Sequence, residues 1–532
     1  MKNRKLSFWK VFVAPVFLCA IFLTLPCVAE LEKEKPITAN KSPQVPKWRR
    51  HVITLNNSTY TANPFELNVD AVFTHSSTGT TLKLPAYYDG SNQWKIAFMP
   101  TELGQWTFVT SSPDPDLNYK TGKLNCVPSG HPGLLAADPA HPNKWKYADG
   151  PYVVPIGVFV SAMLDEASPQ QWTAMADFVH DNQLQLLNFR ISEHDLAFSS
   201  VASLQMNLPL WQRLEQRLEV LTERGLGVEI MLYTDDAGKP SFAPYSSAEK
   251  LLIRYTVARL ASFPALMFDS GIDLAEYRDQ SWVNWYGRQV RALDPYGHPV
   301  SSRYGGGSGG QVMTGQTYNS VGDRNSAISR LLTAYNPSDN IPAANDDNWS
   351  ENLSGNINSH TPEDIRRAAW KATVAGGVGF HVRHNQTNCF DGLLTECDRY
   401  FDAAILAEQL DAEPWLRLVN PFLRQHLPDT FGTMLPAASL ADNSKKQYAL
   451  ANPQRTKILY WKTSAADTWD PFEHDKIQVK LAGLPGSYNA KWFDPRSGAL
   501  ISAGKLTGGD DYPLSPPNNQ TDDWVLLLVR ID

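Results

Sequence analysis

The stretch 227–262, GVEIMLYTDDAGKPSFAPYSSAEKLLIRYTVARLAS, combines two different patterns. Its first part, 227–235, is a short and mostly apolar run, which predicts a strand. In its second part, 247–262, apolar residues recur at helical spacing at Leu251, Leu252, Tyr255 and Ala258. A strand followed by an amphipathic helix is the repeating unit of a parallel β-sheet, so the stretch predicts one βα unit.

The same unit recurs on both sides of this stretch. The predicted strands are 153–163, 184–192, 227–235, 266–273, 299–304, 312–318, 341–347 and 379–384. The predicted helices include 169–182, 210–224, 247–262, 280–293 and 362–375. Eight strands alternating with helices over roughly 300 residues predict a (β/α)8 TIM barrel.

Two zones without a helical period flank the predicted barrel. From Trp48 to about Cys126, β-rich runs alternate with turns, which predicts a small β-sandwich. The end of the chain is again rich in strand patterns and predicts a second β-sandwich. The predicted domains are therefore a sandwich at 30–128, a barrel at 129–427 and a sandwich at 428–532.

The first 29 residues have the pattern of a secretory signal peptide. Residues 2–5 (KNRK) form a basic region, 11–25 form an apolar run broken by Pro15, and 27–29 offer small residues for cleavage before Glu30. An uncleaved membrane anchor is the alternative, but the apolar run is shorter than the 20 or so residues that a span needs. We expect a mature protein that is secreted or periplasmic and has no membrane span.

The charge and the cysteine content limit which classes of partner and cofactor are expected. The chain has 48 Lys and Arg against 55 Asp and Glu, so it has no basic surplus with which to bind nucleic acid. After the leader come Cys126, Cys389 and Cys397, of which the last two can close a short disulfide loop in an oxidising compartment. No Cys or His cluster has the spacing of zinc ligands, and we predict neither a metal nor a cofactor.

Acidic residues at the end of the fourth predicted strand are candidates for catalysis. Reactive side chains of a TIM barrel lie at the carboxyl ends of its strands, and glycoside hydrolysis uses two carboxyl groups. The run 267–273, MFDSGID, resembles the Trp-x-Leu-Gly-Asn-Glu run that carries the acid/base of many glycoside hydrolase barrels. The resemblance places Asp273 at the acid position, with Asp where Glu is usual. Glu276, about one helical turn further on, is the alternative.

The seventh predicted strand supplies the second carboxyl group. The run 341–351, IPAANDDNWSE, resembles the apiosidase-like barrels, in which a strand led by Pro ends in a catalytic Glu and another Glu follows four residues later. Asp347 falls on the first position and Glu351 on the second, again with Asp where the catalytic Glu is usual. Asp346 and Asp347 are adjacent, and the choice between them stays open. A helix N-cap before 348–352 is the structural alternative.

The flanking zones resemble modules of the same proteins. The runs 85–90, 94–100 and 104–108 resemble the immunoglobulin-like module that precedes the barrel in many secreted glycoside hydrolases. The runs 492–498 and 523–528 resemble the C-terminal β-domain named as collagen-binding in secreted barrel proteins. We expect that domain to be a packing accessory.

Other polar and aromatic residues at predicted strand ends are of the kind that orient sugars. The candidate substrate contacts are Asn188, Arg190, His194, Asp236, Arg303, Tyr318, Trp349 and His384. Each is alternatively an internal packing or ion-pairing residue.

The first hypothesis is a secreted glycoside hydrolase of the apiosidase-like group. Asp273 or Glu276 would be the general acid/base, and Asp347 the nucleophile if the reaction retains configuration. The second hypothesis is a non-catalytic carbohydrate-binding protein, because Asp replaces Glu at both positions. A surface adhesin that acts through the terminal sandwich is a third. In the first two the partner is a carbohydrate.

Overall fold

The computed structural model describes most of the chain after residue 41. The described residues are 42–159, 168–191, 197–233, 239–271, 274–304, 315–321, 331–332, 335–351, 359–383, 413–442, 447–462, 476–517 and 522–532. Within them, the residues from Pro43 to Asp532 belong to one compact unit. The predicted signal peptide and the predicted Cys389–Cys397 disulfide lie outside the described residues. Cys126 is described, and it is a buried free thiol.

The first zone consists of strands arranged in two packed sheets and a hairpin. The strands are β1 (Gln44–Pro46), β2 (His51–Asn56), β3 (Asp70–His75), β4 (Thr81–Pro85), β5 (Tyr87–Tyr88), β6 (Gln93–Phe98), β7 (Gly104–Ser111), β8 (Thr121–Val127), β9 (Leu135–Asp138) and β10 (His141–Tyr147). One sheet has the order β1-β8-β7-β3-β4 and the other β2-β6-β5, while β9 and β10 form the hairpin. The sheets pack face to face, since Phe73 and Phe98 stack with ring centroids 3.9 Å apart.

The second zone is a barrel-like parallel sheet. Its strands are β11 (Ile156–Phe159), β12 (Leu186–Arg190), β15 (Gly227–Tyr233), β16 (Leu266–Gly271), β17 (Val300–Ser301), β18 (Asn319–Val321), β19 (Ala343–Glu351) and β21 (Gly379–Arg383). Their order is β17-β16-β15-β12-β11-β21-β19-β18. The two end strands approach each other, because the Thr317 amide donates to the Val300 carbonyl at 2.8 Å. A small hairpin of β13 (Phe198–Ser200) and β14 (Gln205–Met206) and the short β20 (Ser359–His360) complete the zone.

Helices connect the strands of this sheet. They are α1 (Pro169–Asp181), α2 (Leu208–Glu223), α3 (Ser247–Leu260), α4 (Gln280–Leu293) and α5 (Pro362–Val374). Local sequence fixes their starts: Ser168 caps α1 in a capping box with Gln171, and Asp279 caps α4 by accepting from the Trp282 amide. The apolar positions predicted for α3 are largely buried, as Leu252, Tyr255 and Ala258 illustrate.

The last zone is another strand-rich region, preceded by α6 (Glu413–Leu416) and α7 (Val419–His426). Its strands are β22 (Leu435–Pro436), β23 (Tyr448–Ala451), β24 (Lys457–Lys462), β25 (Ile477–Lys480), β26 (Ser487–Phe493), β27 (Leu500–Thr507), β28 (Asp511–Leu514) and β29 (Trp524–Arg530). Six of them form a sheet in the order β22-β23-β24-β29-β26-β27, and β25 pairs with β28. A separate apolar cluster, including Tyr460, Tyr488 and Leu526, forms the core of this region.

The predicted architecture is confirmed as a parallel barrel-like sheet of eight strands with β-rich regions on either side. The sixth strand is a correction. It was expected at 312–318, but the strand is Asn319–Val321, so Tyr318 lies at its amino end and not at its carboxyl end. The backbone pairing decides this, because Asn319 aligns with Ala343, the first residue of β19. The immunoglobulin-like character of the first sandwich and the domain boundaries stay predictions.

Buried ion pairs join the flanking regions to the barrel. Arg259 of α3, which is fully buried, donates to Asp89 of the first zone at 2.7 Å and to Glu215 of α2 at 2.9 Å. Burial raises the pKa of Asp89, but the charge of Arg259 and hydrogen bonds from Lys95 and Gln212 outweigh it, so the pKa is below its usual value. At the other end, Arg366 of α5 forms two hydrogen bonds with Asp523, at 2.6 and 3.2 Å.

Candidate active site

The interior of the barrel is lined by alternate residues of its strands. Asn188 of β12 aligns with Glu229 of β15, and His381 of β21 aligns with Gly157 of β11. Residues that align across parallel strands point to the same face of the sheet. A Cβ at Gly157 would collide with the His381 ring, so this glycine makes room for the imidazole.

Four of these interior residues, Glu229, Tyr318, Asn188 and His381, form what we term the Glu229 cluster. The Tyr318 hydroxyl donates to Glu229 Oε1 at 2.5 Å, and the Asn188 amide donates to Oε2 at 2.7 Å. His381 Nε2 lies 3.2 Å from Oε2, and His381 Nδ1 lies 3.3 Å from Asn188 Nδ2. All four residues are at most 1% exposed. The Glu229 carboxyl group thus contacts polar groups from β12, from β21 and from the residue that precedes β18.

The hydrogen bonds fix the protonation of the histidine. Burial lowers the pKa of His381 to about 3, so the ring is neutral near pH 7. The single ring proton belongs on Nε2, which faces the carboxyl group, and Nδ1 then accepts from Asn188. The Glu229 cluster is therefore a hydrogen-bonded polar layer inside the barrel, in which Asn188 Oδ1 has no hydrogen-bond partner in the described structure.

The cluster lies below the carboxyl ends of the strands. Glu229 comes four residues before Tyr233, where β15 ends. The structure brings together Asn188 and Tyr318, but around a carboxyl group that is not among the predicted site residues, and both are fully buried. Their role as sugar contacts stays a prediction. The sequence did carry a signal for Glu229: it is the one charged residue in the apolar run 227–233, and a charge in a buried strand requires a partner.

A second carboxyl group that the predictions omit lies on β16. Asp269 is fully buried, and its Oδ1 accepts from the Gly271 amide at 2.8 Å. Burial raises its pKa to about 6, although hydrogen bonding from Gly271 and the charge of Arg303 oppose the shift. Its Oδ2 has no hydrogen-bond partner in the described structure. A carboxyl group that takes up a proton near neutral pH inside a barrel is typical of functional sites.

Of the two acids predicted after β16, only Glu276 lies within the described residues. β16 ends at Gly271, and Asp273 lies outside the described residues. Glu276 ends a 3-10 turn formed by Leu274–Glu276, is exposed, and pairs with Lys239 at 3.0 Å. The described carboxyl group of Glu276 is therefore a solvated, ion-paired one.

The seventh strand contains an irregularity where its acids lie. Asn345 aligns with Phe380 and Trp349 with Val382, so three residues of β19 lie opposite one residue of β21. Asp346, Asp347 and Asn348 occupy this bulge, and β19 continues to Glu351. Because the backbone is a strand here, the alternative of a helix N-cap before 348–352 was wrong. β-Bulges redirect side chains and occur often beside active sites.

The remaining predicted contacts are spread over several elements. Arg190 lies on β12 and Trp349 on β19. Arg303 follows β17, is 5% exposed, and its carbonyl accepts from the Leu274 amide at 3.2 Å. His194, Asp236 and His384 lie outside the described residues.

The described residues contain no group of three or more His, Cys, Asp or Glu residues that could hold a metal ion. Within the same part of the chain, none of the helices combines the length and hydropathy needed to cross a membrane.

Comparison with known families matches the two flanking regions. Residues 44–113 match the family described as "Domain of unknown function (DUF5060)". Residues 470–529 match the family described as "Putative collagen-binding domain of a collagenase". A search of curated proteins finds no match to the chain.

Comparison with solved structures matches the barrel as well. A "putative glycoside hydrolase" from Bacteroides vulgatus aligns over 92% of this chain and 100% of its own, with a TM-score of 0.71 and 16% identity. A glycoside hydrolase family 5 protein from the same species aligns over 75% and 93%, with a TM-score of 0.59 and 13% identity. A third protein, described as a glycoside hydrolase, aligns over 75% and 97%, with a TM-score of 0.57 and 12% identity. At these identities the likeness concerns the fold.

Proposed function

We propose that this chain is a glycoside hydrolase of the apiosidase-like group, which cleaves glycosidic bonds in a polysaccharide or oligosaccharide. The observation that carries the proposal is the bulge of β19 at Asp346 and Asp347, on a barrel whose fold neighbours include glycoside hydrolases. A bulge at that point offers a means of turning one of two adjacent carboxyl groups toward a substrate.

The proposed mechanism uses one carboxyl group from each of two strands. Asp273, beyond the end of β16, is the general acid that protonates the leaving oxygen, and Asp347 is the nucleophile. Glu276 is the alternative acid, and its exposed pair with Lys239 favours Asp273 over it. Substrate contacts are proposed for Arg190, His194, Asp236, Trp349 and His384, with Arg303 beside them, as well as for Asn188 and Tyr318.

The stereochemical outcome is a separate proposal. Acids on the fourth and seventh strands suit a retaining reaction, which places the two carboxyl groups about 5 Å apart, whereas an inverting reaction separates them by about 6.5 Å or more. Proton NMR of the first product formed would decide, since retention gives the anomer of the substrate.

The testing experiment is reducing-end release from a panel of purified polysaccharides by residues 30–532. Asp273→Ala and Asp347→Ala should each abolish release while leaving the thermal unfolding midpoint unchanged. Glu276→Gln and Asp346→Ala are matched controls and should retain release. Activity that survives in Asp273→Ala but is lost in Glu276→Gln would transfer the acid role to Glu276.

A non-catalytic carbohydrate-binding protein is the second candidate, because Asp stands at both positions where Glu is usual in the resembled barrels. A shorter side chain moves each carboxyl group away from the reacting atoms. Binding of a glycan without new reducing ends would support this candidate and refute the first. Both candidates assume export by the predicted signal peptide, which N-terminal sequencing of the exported protein would test.

A further inference from the structure

A large hydrophobic side chain of the second zone is exposed on the face of the candidate active site. Among the described residues from Ile156 to His426, Tyr245 is the one large hydrophobic side chain that is exposed, at 39%. Tyr245 follows β15 and directly precedes Ser246, the N-cap of α3. It therefore lies on the face where the barrel strands have their carboxyl ends and where substrates of such barrels bind.

A second, partly exposed aromatic ring lies beside Tyr245. Trp285 of α4 contacts it with ring centroids 4.9 Å apart and the ring planes at 72°. We term Tyr245 and Trp285 the rim pair. Two rings at such an angle form a corner, and Tyr and Trp rings combine an apolar face with a polar edge. A corner of this kind can take a ligand that is apolar on one face and polar at its edges.

The backbone of Tyr245 has an unfavourable conformation. Its φ is +63°, in the left-handed region that favours glycine and that bulky residues rarely adopt. Glycine at this position would have no such cost, and it would remove the exposed ring. Strained backbone conformations of non-glycine residues cluster at ligand-binding and active sites. The strain at Tyr245 therefore supports a role for its side chain in contacting a ligand.

One buried carboxylate fixes the positions of both rings. Glu249 is fully buried, and its Oε2 accepts from the Tyr245 amide at 2.5 Å and from Trp282 Nε1 at 2.9 Å. The Trp282 ring lies on the same helix as the second ring of the rim pair, with centroids 6.3 Å apart. Glu249 Oε1 accepts from the Tyr233 hydroxyl and from Arg278, both at 3.1 Å. The rim pair is thus held in place before any ligand binds, which lowers the entropic cost of binding.

One acid and one base border the rim pair. Partial burial and the charge of Asp279 raise the pKa of Tyr245, and Arg288 is among the charges that oppose the shift, so both groups lie within electrostatic range of the Tyr245 hydroxyl. Both side chains are exposed. A carboxylate accepts hydrogen bonds from hydroxyl groups, and a guanidinium group donates to them. Because the two charges are opposite, the surroundings favour a neutral ligand rich in hydroxyl groups.

We propose that the rim pair is a remote sugar subsite, which stacks a neutral pyranose unit of a polysaccharide. The C–H face of the sugar packs on the aromatic corner, and its hydroxyl groups contact Asp279 and Arg288. This inference rests on the proposed function in one respect, that the ligand of the protein is a glycan. The helices lie outside the ring of strands, so a unit bound at the rim pair is remote from the reacting bond. The subsite should therefore strengthen binding of long chains and leave short substrates unaffected.

The test is affinity electrophoresis of residues 30–532 in gels that each contain one polysaccharide. The neutral probes are xyloglucan, arabinoxylan and glucomannan, and polygalacturonate is the acidic comparison. We expect at least one neutral probe to retard the wild type, and Trp285→Ala and Tyr245→Gly each to weaken that binding roughly tenfold. Tyr245→Phe keeps the ring and should bind nearly as the wild type does. Tyr119→Ala removes a tyrosine of the first zone that is 78% exposed, and as the matched control it should not change binding.

Tyr245→Gly separates the role in binding from any role in folding. Because glycine adopts a φ of +63° without strain, the thermal unfolding midpoint of this variant should equal or exceed that of the wild type. Its loss of affinity then cannot come from unfolding. Hydrolysis of short soluble substrates should be unchanged in the same variant.

Absence of retardation by all three neutral polysaccharides, or equal retardation of the wild type and Tyr245→Gly, would overturn the inference. A lower sedimentation coefficient in Tyr245→Gly than in the wild type would overturn it as well, because a second copy of the chain would then cover the rim pair. Retardation that depends on the rim pair, in a protein that releases no reducing ends, would instead sustain the subsite and refute the proposed hydrolase.

Discussion

Arg259 provides the sharpest test of how the first zone is attached to the barrel. Its guanidinium group is fully buried and contacts Asp89, Glu215 and the Tyr255 hydroxyl, the last at 2.8 Å. Replacement by Met keeps much of the side-chain volume but removes the charge and every donor. We expect Arg259→Met to destabilise both α3 and the contact with the first zone.

The free-energy cost of Arg259→Met depends on the two carboxylates that lose Arg259 as a partner. Asp89 and Glu215 remain with 3% and 12% exposed side chains. Each keeps one other cation, since Lys95 contacts Asp89 and Arg50 pairs with Glu215 at 2.6 Å. Loss of one partner from a buried ion pair costs about 3–5 kcal/mol when the remaining charge is uncompensated, so the cations that stay place the expected cost at about 3 kcal/mol, the lower end of that range. Against a typical total stability of about 5–15 kcal/mol, that loss is large.

The assay is calorimetric unfolding at pH 7, with Arg254→Met as the matched control. Arg254 is on the same helix and pairs with Asp70 at 2.9 Å, but both side chains are more than one-fifth exposed. We expect the control to cost about 1 kcal/mol or less, because solvent screens exposed pairs. If Arg259→Met costs no more than the control, then the buried network does not stabilise the assembly and the reasoning fails.

Three further predictions follow from buried charges. Asp269→Asn should stabilise the protein by up to about 3 kcal/mol above pH 6 and should have no such effect at pH 3. The reason is that the folded-state pKa of about 6 exceeds the ordinary 3.8, so the wild type loses stability as pH rises through the folded-state pKa. Equal effects of the substitution at both pH values would contradict this. Lys144 is fully buried, burial lowers its pKa well below the usual range, and its Nζ donates to the Gly376 carbonyl at 2.7 Å. Stability should therefore rise with pH toward 10 in the wild type, and denaturant titrations of Lys144→Met should not show that rise. Arg366→Leu leaves the Asp523 carboxylate buried without its arginine and should cost about 3–5 kcal/mol. Limited proteolysis should cleave the last zone earlier in Arg366→Leu than in the control Lys505→Leu. Identical digestion rates would contradict the role of this ion pair in joining the last zone to the barrel.

Local patterns were sufficient for the regular elements. The helix predicted at 280–293 has those bounds, and the helix predicted at 169–182 ends one residue earlier. Capping residues and apolar spacing act within a few residues of the chain, so they are visible in the sequence. The sixth strand was misplaced because three residues, Asn319–Val321, give no period to detect, and only pairing with β19 defines them.

The predicted site residues follow from the barrel pattern and stay predictions, whereas the backbone and burial around the acids were not predictable. Acids beyond the fourth strand and within the seventh could be selected because barrel strands present their carboxyl ends on one face. The bulge that holds Asp346 and Asp347 could not be predicted from the sequence, because it is a mismatch between β19 and β21 and not a property of either strand alone. Asp269 likewise gained its raised pKa from burial, which the chain acquires only on folding.

The sequence by itself thus determined the alternation of strands and helices, the β-rich flanks and the need for some partner to Glu229. Only the tertiary structure decided which partners those are. Tyr318 and His381 lie 89 and more than 150 residues away from Glu229 along the chain, yet both contact its carboxyl group. Contacts of that separation depend on closure of the sheet, which brings strands from both halves of the barrel around one interior.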